Sequence, residues 1–447
     1  MTETVEQAAV IFNDEEMTIL AGAGTGKTHV LKMHALERPN STYLYLTYSQ
    51  EMKKDSRIKF PSNVDVHSIS SLAYKYVGLD FKDNLQDNIS ALYIKNILDN
   101  FSYIEANEVF EILTHYFNSD LSVPFKSKSK KINNAVNDLF SRMIDPKDSL
   151  KTPHEAYTKY FQILEIDLKY DYIIVDEAQD INKVAKSIID AQISSKKIIV
   201  GDSLQAIYAY RGTVSLLNNS TNTLSETFRF GKNMAKLVQK FVRDYINPEY
   251  LLNSNKENLV FNGEREVYTY ISRTNSHLFQ KGLELSSLNI PFFIHNSPKL
   301  FRLLRDGYYL YIGEHEKIHS KEIKKFPSFD NLKKVSEDIS DMELSYLVKI
   351  VGIHKGNLLS KIELLEMHLV SKEFADVILI TTHKAKGLEW DNIEIANDFT
   401  PLFDEDGELI KNIDLEELHI IYVAMTRVKE NIVLNKDLYK KYKEIVR

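Results

Sequence analysis

The sequence predicts an α/β protein with mostly parallel sheets and two long helical stretches set into them. Three observations carry this. Apolar runs of four or five residues recur and stop at small, acidic or hydroxyl-bearing residues. Stretches of helical period separate the runs. The polar residues gather just after the runs, and ligands of open parallel sheets bind at the carboxyl ends of strands.

Taken in order, Met17–Ala21 is the first run and leads into a glycine-rich turn. Tyr43–Thr47 is the second. Tyr172–Val175 ends in Asp-Glu, and Lys197–Val200 ends in Gly-Asp. Val377–Ile380 ends in Thr-Thr-His. Residues 75–165 are helical in period and poor in strand signals, with a basic run at Lys126, Lys128, Lys130 and Lys131. Residues 297–376 are also mostly helical, with a Lys-rich segment near Lys321–Lys325. A solvated helix face is the plain account of each charge run. The two stretches are expected to be helical insertions into two α/β cores.

At 447 residues the chain is long enough for two to four domains. With 43% hydrophobic and 27% charged residues it is neither collagen-like nor disordered. No stretch approaches the ~18 apolar residues of a membrane span, so no membrane partner is expected. The acidic start, Met1 to Glu6, lacks the apolar core of a secretory signal. The absence of cysteine excludes disulfides, a thiol nucleophile and thiolate metal sites, and it fits a cytoplasmic location. A net charge of −7 argues against coating nucleic acid by bulk charge, but it leaves room for a local groove. Only 12 of the 56 basic residues are arginine.

Ala21-Gly-Ala-Gly-Thr-Gly-Lys-Thr28 has the P-loop form, after an expected strand and before an expected helix. Its glycines let backbone N–H groups wrap phosphate oxygens, and the helix N-terminus adds favourable partial charge. Lys27 would reach the β- and γ-phosphates, and the Thr28 hydroxyl would hold Mg²⁺. Asp176-Glu-Ala-Gln179 follows a buried run. Of its two adjacent carboxylates, one can hold the Mg²⁺ shell and the other can polarise the attacking water. No Asn-Lys-x-Asp guanine motif occurs, which argues against a G protein.

The series of motifs resembles the superfamily 1A helicases of the UvrD/Rep type, and within them the helicase core of the F-box DNA helicases. Glu6-Gln7 resembles the Q motif, Ala21–Thr28 motif I and Leu46–Ser49 motif Ia. Phe60–Tyr74 resembles the segment around motif Ib, and Asp176–Asp180 resembles motif II. Val200–Gly212 resembles motif III and Glu226–Gly231 motif IV. Thr382–Asp391 resembles motif V, and Glu416–Lys429 resembles motif VI. The Q motif begins within ten residues of Met1, so an N-terminal F-box, and with it a ubiquitin-ligase role, is not expected. The resemblance implies two RecA-like P-loop NTPase cores. Core 1A would take residues 1–74 and 165–222, with helical insertion 1B at 75–164. Core 2A would take 223–296 and 377–447, with a reduced helical insertion 2B at 297–376.

The resemblance also implies roles. Gln7 would read adenine, and Ala21, Gly22, Ala23, Gly24, Thr25, Gly26, Lys27 and Thr28 would cradle the phosphates. Asp176 would hold Mg²⁺, Glu177 would activate water, and Gln205 would sense the γ-phosphate. Arg229 and Arg427 would reach the γ-phosphate as arginine fingers when the cores close on ATP. Glu389 would approach the ribose. His29 stands where related enzymes often have an Arg against adenine, and Phe228, often Tyr in relatives, would stack on the base. Tyr48 and Tyr210 would stack on bases of a tracked strand. His67 and Ser68 would contact phosphates, as would Lys53 and Lys54 more weakly, and His383 would couple the ATP and DNA sites. Tyr208 would pack between the cores. Arg211, Arg229 and Arg427 all fall inside motifs, where planar, bidentate recognition matters.

The function implied is that of an ATP- and Mg²⁺-dependent DNA helicase or translocase in DNA repair, recombination or replication. It would move 3′→5′ on single-stranded DNA and act on 3′-tailed duplex. The alternatives are a translocase that strips proteins from DNA and a nucleotide-gated DNA-binding subunit.

Overall fold

Strands buried on both faces read as unbroken apolar runs, and the five runs named above are all strands. Three keep their ends: β1 (Met17–Ala21), β2 (Tyr43–Thr47) and, later, Tyr172–Val175. The other two gain a flanking residue or two, as Lys196–Gly201 and Val377–Thr381. The computed structural model describes residues 3–47, 56–86, 89–208, 213–338 and 342–446. The chain divides into two units, Met1–Thr227 and Phe228–Arg447.

In the first unit, β3 (Val64–Ser68) follows β2, and β4 (Leu85–Gln86) pairs with β5 (Thr152–Pro153) in a small separate ladder. β6 (Tyr172–Val175), β7 (Lys196–Gly201) and β8 (Asn222–Leu224) complete the main sheet. Its order is β3-β2-β6-β7-β1-β8, and every pairing is parallel. The β2–β6 register sets Tyr43 beside Tyr172 and Tyr45 beside Ile174. Successive side chains alternate faces. One face carries Tyr43, Tyr45, Tyr172 and Ile174 against helices α1 (Val5–Ile11) and α2 (Lys27–Leu36). Tyr43 and Tyr172 stack there with ring centroids 4.8 Å apart. The other face carries Leu44, Leu46, Ile173 and Val175 against Leu72, Phe161, Val184 and Ile188 of three further helices.

Helices Ala91–Ile97, Tyr103–Asn118 and Lys130–Met143 lie between β4 and β5, and His154–Ile163 follows β5 directly. The second of these begins with a Ser102/Glu105 capping box, a start signal readable in the sequence. Leu113, Tyr116, Val136, Leu139 and Met143 give this region a core of its own. Lys159 is 0% exposed within it. Its Nζ donates to the Ser119 carbonyl at 3.0 Å, the Leu121 carbonyl at 2.5 Å and Gln162 Oε1 at 2.7 Å.

The second unit holds β9 (Val260–Phe261), β10 (Tyr268–Ser272), β11 (Phe292–Ile294), β12 (Val377–Thr381), β13 (Trp390–Ile395) and β14 (Val428–Val433). The sheet order is β11-β12-β10-β13-β14-β9, again all parallel. Between β11 and β12 run helices Ser297–Ile312, Phe329–Asp338, Met342–His354 and Leu358–His368. Among the described residues, no helix is long and apolar enough to cross a membrane.

Candidate functional site

In the first unit, parallel strands bring the loops after β1, β3, β6 and β7 to one edge of the sheet. The loop after β1 needs glycine twice. Gly24 and Gly26 have φ of 74° and 84°, the left-handed region that side chains other than glycine rarely enter. Gly26 caps α2, which starts at Lys27. The Thr25 hydroxyl donates to the Gly22 carbonyl at 2.9 Å, and the Gly22 N–H donates to the Leu224 carbonyl at 3.1 Å. Gln7 Nε2 donates to the Thr25 carbonyl at 3.3 Å, and Gln7 Oε1 accepts from the Thr4 N–H at 3.2 Å. The amide that the resemblance assigns to adenine therefore braces the P-loop here. Ala21 and Ala23 are buried, whereas Thr28 is half-buried in the first turn of α2. His29 is exposed, 3.9 Å from Glu3.

Asp176 and Glu177 leave the end of β6 with only 3% and 8% of their surface exposed. Glu177 sits at φ 53°, a left-handed backbone that costs about 1 kcal/mol or more, and strain of this kind clusters at active sites. Asp176 Oδ1 accepts from the Glu177 N–H at 2.9 Å, and Oδ2 accepts from the Tyr45 hydroxyl. Lys27 Nζ lies 3.7 Å from Glu177 Oε1. Burial holds the Asp176 carboxyl above its usual range, the Glu177 charge adds to this, and Lys27 opposes both. Two buried carboxylates beside a helix N-terminus are a donor set that suits a divalent cation shared with phosphate oxygens.

A chain of polar side chains runs on from Glu177. Gln179 Nε2 donates to Glu177 Oε2 at 2.5 Å, and Gln179 Oε1 accepts from the Asp202 N–H at 3.1 Å. Asp202 Oδ2 accepts from Gln205 Nε2 at 2.8 Å. Gly201 leaves room for this chain, since a Cβ there would lie 2.4 Å from Gln179 Oε1. Gln205 and Glu177 are thereby linked through two residues, Gln179 and Asp202, to which sequence reasoning assigned no role. Their signal was present, because Asp202 directly follows β7 and Gln179 lies four residues past the end of β6, both inside the stretches that resemble motifs III and II.

In the second unit, Arg229 Nε donates to Glu389 Oε2 at 2.8 Å, and its Nη1 donates to the Thr426 carbonyl at 2.7 Å. Glu389 also pairs with Lys429 at 3.1 Å. Burial pulls the Glu389 carboxyl up, but Arg229 and Lys429 outweigh it and hold the group below its usual range. Arg427 is buried, with Nε on the Val423 carbonyl at 2.9 Å and Nη1 on the Leu388 carbonyl at 3.3 Å. Glu389 and Arg427 precede β13 and β14, so this cluster lies at the amino edge of those strands. His383, half-buried, follows β12 at the opposite edge. Phe228 is half-buried beside Arg229.

His67 and Ser68 end β3 and are both buried. His67 contacts Asp65 at 3.0 Å and Ser71 at 3.3 Å. Ser68 caps the helix Ile69–Tyr76. Ser68 also lines a cavity of about 990 Å³ with Thr47, Phe110, Asn118, Glu155 and Lys183. Tyr48, Tyr210, Arg211, Lys53 and Lys54 lie outside the described residues, whereas Tyr208 is half-buried.

The sequence matches the UvrD-like helicase C-terminal domain family over residues 68–437. It is 29% identical to F-box DNA helicase protein 1 of Schizosaccharomyces pombe, with 96% of this chain and 56% of the relative aligned. It is 28% identical to F-box DNA helicase 1 of Gallus gallus, over 94% of this chain and 47% of the relative. It is 25% identical to Gabija protein GajB of Bacillus cereus, over 98% and 96%. The chain spans about half the length of the two F-box helicases it matches.

Proposed function

The chain belongs to the UvrD-like helicase C-terminal domain family, and from that premise we propose that it is an ATP-dependent DNA helicase or translocase. It moves 3′→5′ on single-stranded DNA and acts on 3′-tailed duplex, and a cytoplasmic location goes with this reading. The observation that carries the proposal is the buried pair Asp176–Glu177, with Lys27 3.7 Å from Glu177, at the sheet edge that bears the P-loop. That arrangement suits hydrolysis, which a mere nucleotide switch does not require. Two relatives are named as DNA helicases, which supports the choice of polymer.

In this reading the loop Ala21–Gly26 and the start of α2 bind the ATP phosphates, and Lys27 neutralises part of their charge. Thr28 and Asp176 hold Mg²⁺, which when bound supplies charge neutralisation at the phosphates. Glu177 accepts a proton from the attacking water. The Gln179–Asp202–Gln205 chain keeps Glu177 oriented. Arg229 and Arg427 stabilise charge on the γ-phosphate, Gln7 and Phe228 engage the base, and Glu389 the ribose. His67, Ser68, His383, Tyr48 and Tyr210 belong to the DNA track. The division into cores 1A and 2A with insertions 1B and 2B is part of the same proposal.

Glu177→Gln tests it. The variant is expected to bind ATP normally and to turn over at least ~100-fold slower, the usual value of a lost general base. Strand displacement by the wild type is expected on duplexes with a 3′ tail and not on those with only a 5′ tail. Wild-type turnover in the variant removes Glu177 from the chemistry, and equal use of both tails removes the polarity.

A further inference from the structure

A phenol hydroxyl inside a sheet core is costly unless it is hydrogen-bonded, and phenylalanine would pack as well without that cost. Tyr45 is such a residue. It lies at the centre of β2, it is 1% exposed, and its ring packs on Phe60 with centroids 4.5 Å apart. The β2–β6 register sets it beside Ile174. Two residues past Ile174, on the same face by strand alternation, stands Asp176. The Tyr45 hydroxyl donates to Asp176 Oδ2, while Oδ1 accepts from the Glu177 N–H at 2.9 Å. Each carboxylate oxygen therefore has a fixed donor, and the plane of the group cannot turn freely.

We infer that Tyr45 is a positioning residue that orients Asp176 toward Mg²⁺. The inference rests on the nucleotide-site reading above, in which Asp176 is a metal ligand. Mg²⁺ demands near-octahedral geometry, so a carboxylate free to rotate would bind it poorly. Partners of metal ligands typically contribute 10- to 100-fold in metal affinity. Tyr45 touches neither nucleotide nor water in this role, and its effect passes wholly through Asp176.

The test compares wild type, Tyr45→Phe, Asp176→Asn and the double variant. A fluorescent ATP analogue is bound first in excess chelator and then titrated with Mn²⁺, whose binding is read independently by electron paramagnetic resonance. Tyr45→Phe is expected to keep metal-free nucleotide affinity and to shift the Mn²⁺ midpoint upward by roughly tenfold or more. Raising Mg²⁺ should restore much of its hydrolysis. In the Asp176→Asn background, Tyr45→Phe is expected to add nothing, since coupled residues are non-additive. A Tyr45→Phe midpoint within twofold of wild type, beside a shifted Asp176→Asn, overturns the inference and leaves the site reading intact. A further shift in the double variant also overturns it, because Tyr45 would then act by another route. An unshifted Asp176→Asn removes Asp176 as a metal ligand and takes this inference with it. Tyr45→Phe is expected to fold, because the ring contact with Phe60 survives, and to unfold a few degrees below wild type, because buried Asp176 Oδ2 loses its donor.

Discussion

Arg427 exposes 1% of its surface, although a guanidinium is among the groups least often buried without partners. Its Nε donates to the Val423 carbonyl at 2.9 Å, its Nη1 to the Leu388 carbonyl at 3.3 Å and its Nη2 to Thr426 Oγ1 at 3.0 Å. The planar fork is thus pinned between two segments that the sequence marks as motifs V and VI. Arg427→Ala should bind nucleotide almost normally and lose about 10³-fold or more in kcat, the worth of an arginine finger. It should also unfold more easily, by about 1–3 kcal/mol, because buried carbonyls lose their donors. Titration with nucleotide, steady-state rates and urea unfolding separate the two effects. A parallel loss of affinity and rate would mark Arg427 as a ground-state contact. The scarcity of arginine has a second use in the structure. Arg38 with Asp14, Arg142 with Asp148 and Arg273 with Glu417 are carboxylate forks that hold loops and strands in place. Arginine is therefore spent on planar recognition, within the fold as well as in the motifs.

At the scale of elements, α2 joins the P-loop at its start to a buried histidine in its last turn. His34 is 0% exposed, with Nε2 2.9 Å from the Asn13 carbonyl and Nδ1 2.9 Å from the Tyr43 hydroxyl. A carbonyl only accepts, so Nε2 carries the proton and Nδ1 accepts from Tyr43. Burial lowers the His34 pKa from 6.5 to about 4. The unfolded chain then takes up the proton first as pH falls. Stability is full above about 6.5 and is lost progressively between 6.5 and about 4. The loss should approach about 3 kcal/mol at the acid end of that window. Urea midpoints measured from pH 7.5 to pH 4 should fall less steeply in His34→Gln than in wild type. Identical slopes would mean that carboxylates alone drive the acid sensitivity.

At the scale of the whole molecule, a net charge of −7 must be reconciled with the proposed nucleic-acid partner. Binding through a local groove predicts that affinity for single-stranded DNA falls with salt, at a log–log slope of about −0.7 per phosphate neutralised. ATP hydrolysis should rise strongly when single-stranded DNA is added at low salt. A rate indifferent to DNA would favour a nucleotide-gated binding module over a translocase. A titration of ATPase rate against DNA at three salt concentrations checks both statements.

The sequence alone determined the features with local causes. Runs such as Tyr172–Val175 are apolar throughout because helices cover both faces of the sheet, and the structure keeps their ends. Gly24 and Gly26 were readable because a left-handed backbone calls for glycine. β3, β8 and most strands of the second sheet were not legible as strands. Runs such as Tyr-Thr-Tyr-Ile-Ser in β10 mix polar and apolar residues, and their partners rather than their own pattern make them strands. The tertiary structure decided which groups meet. Tyr45 reaches Asp176 across 131 residues, Gln179 reaches Asp202 across 23, and Arg229 reaches Thr426 across 197. Lys159 belongs to none of the motifs named in the sequence, yet it lies buried among three acceptors. Such pairings depend on the order of strands in a sheet and the register between them, and no local pattern of residues encodes either.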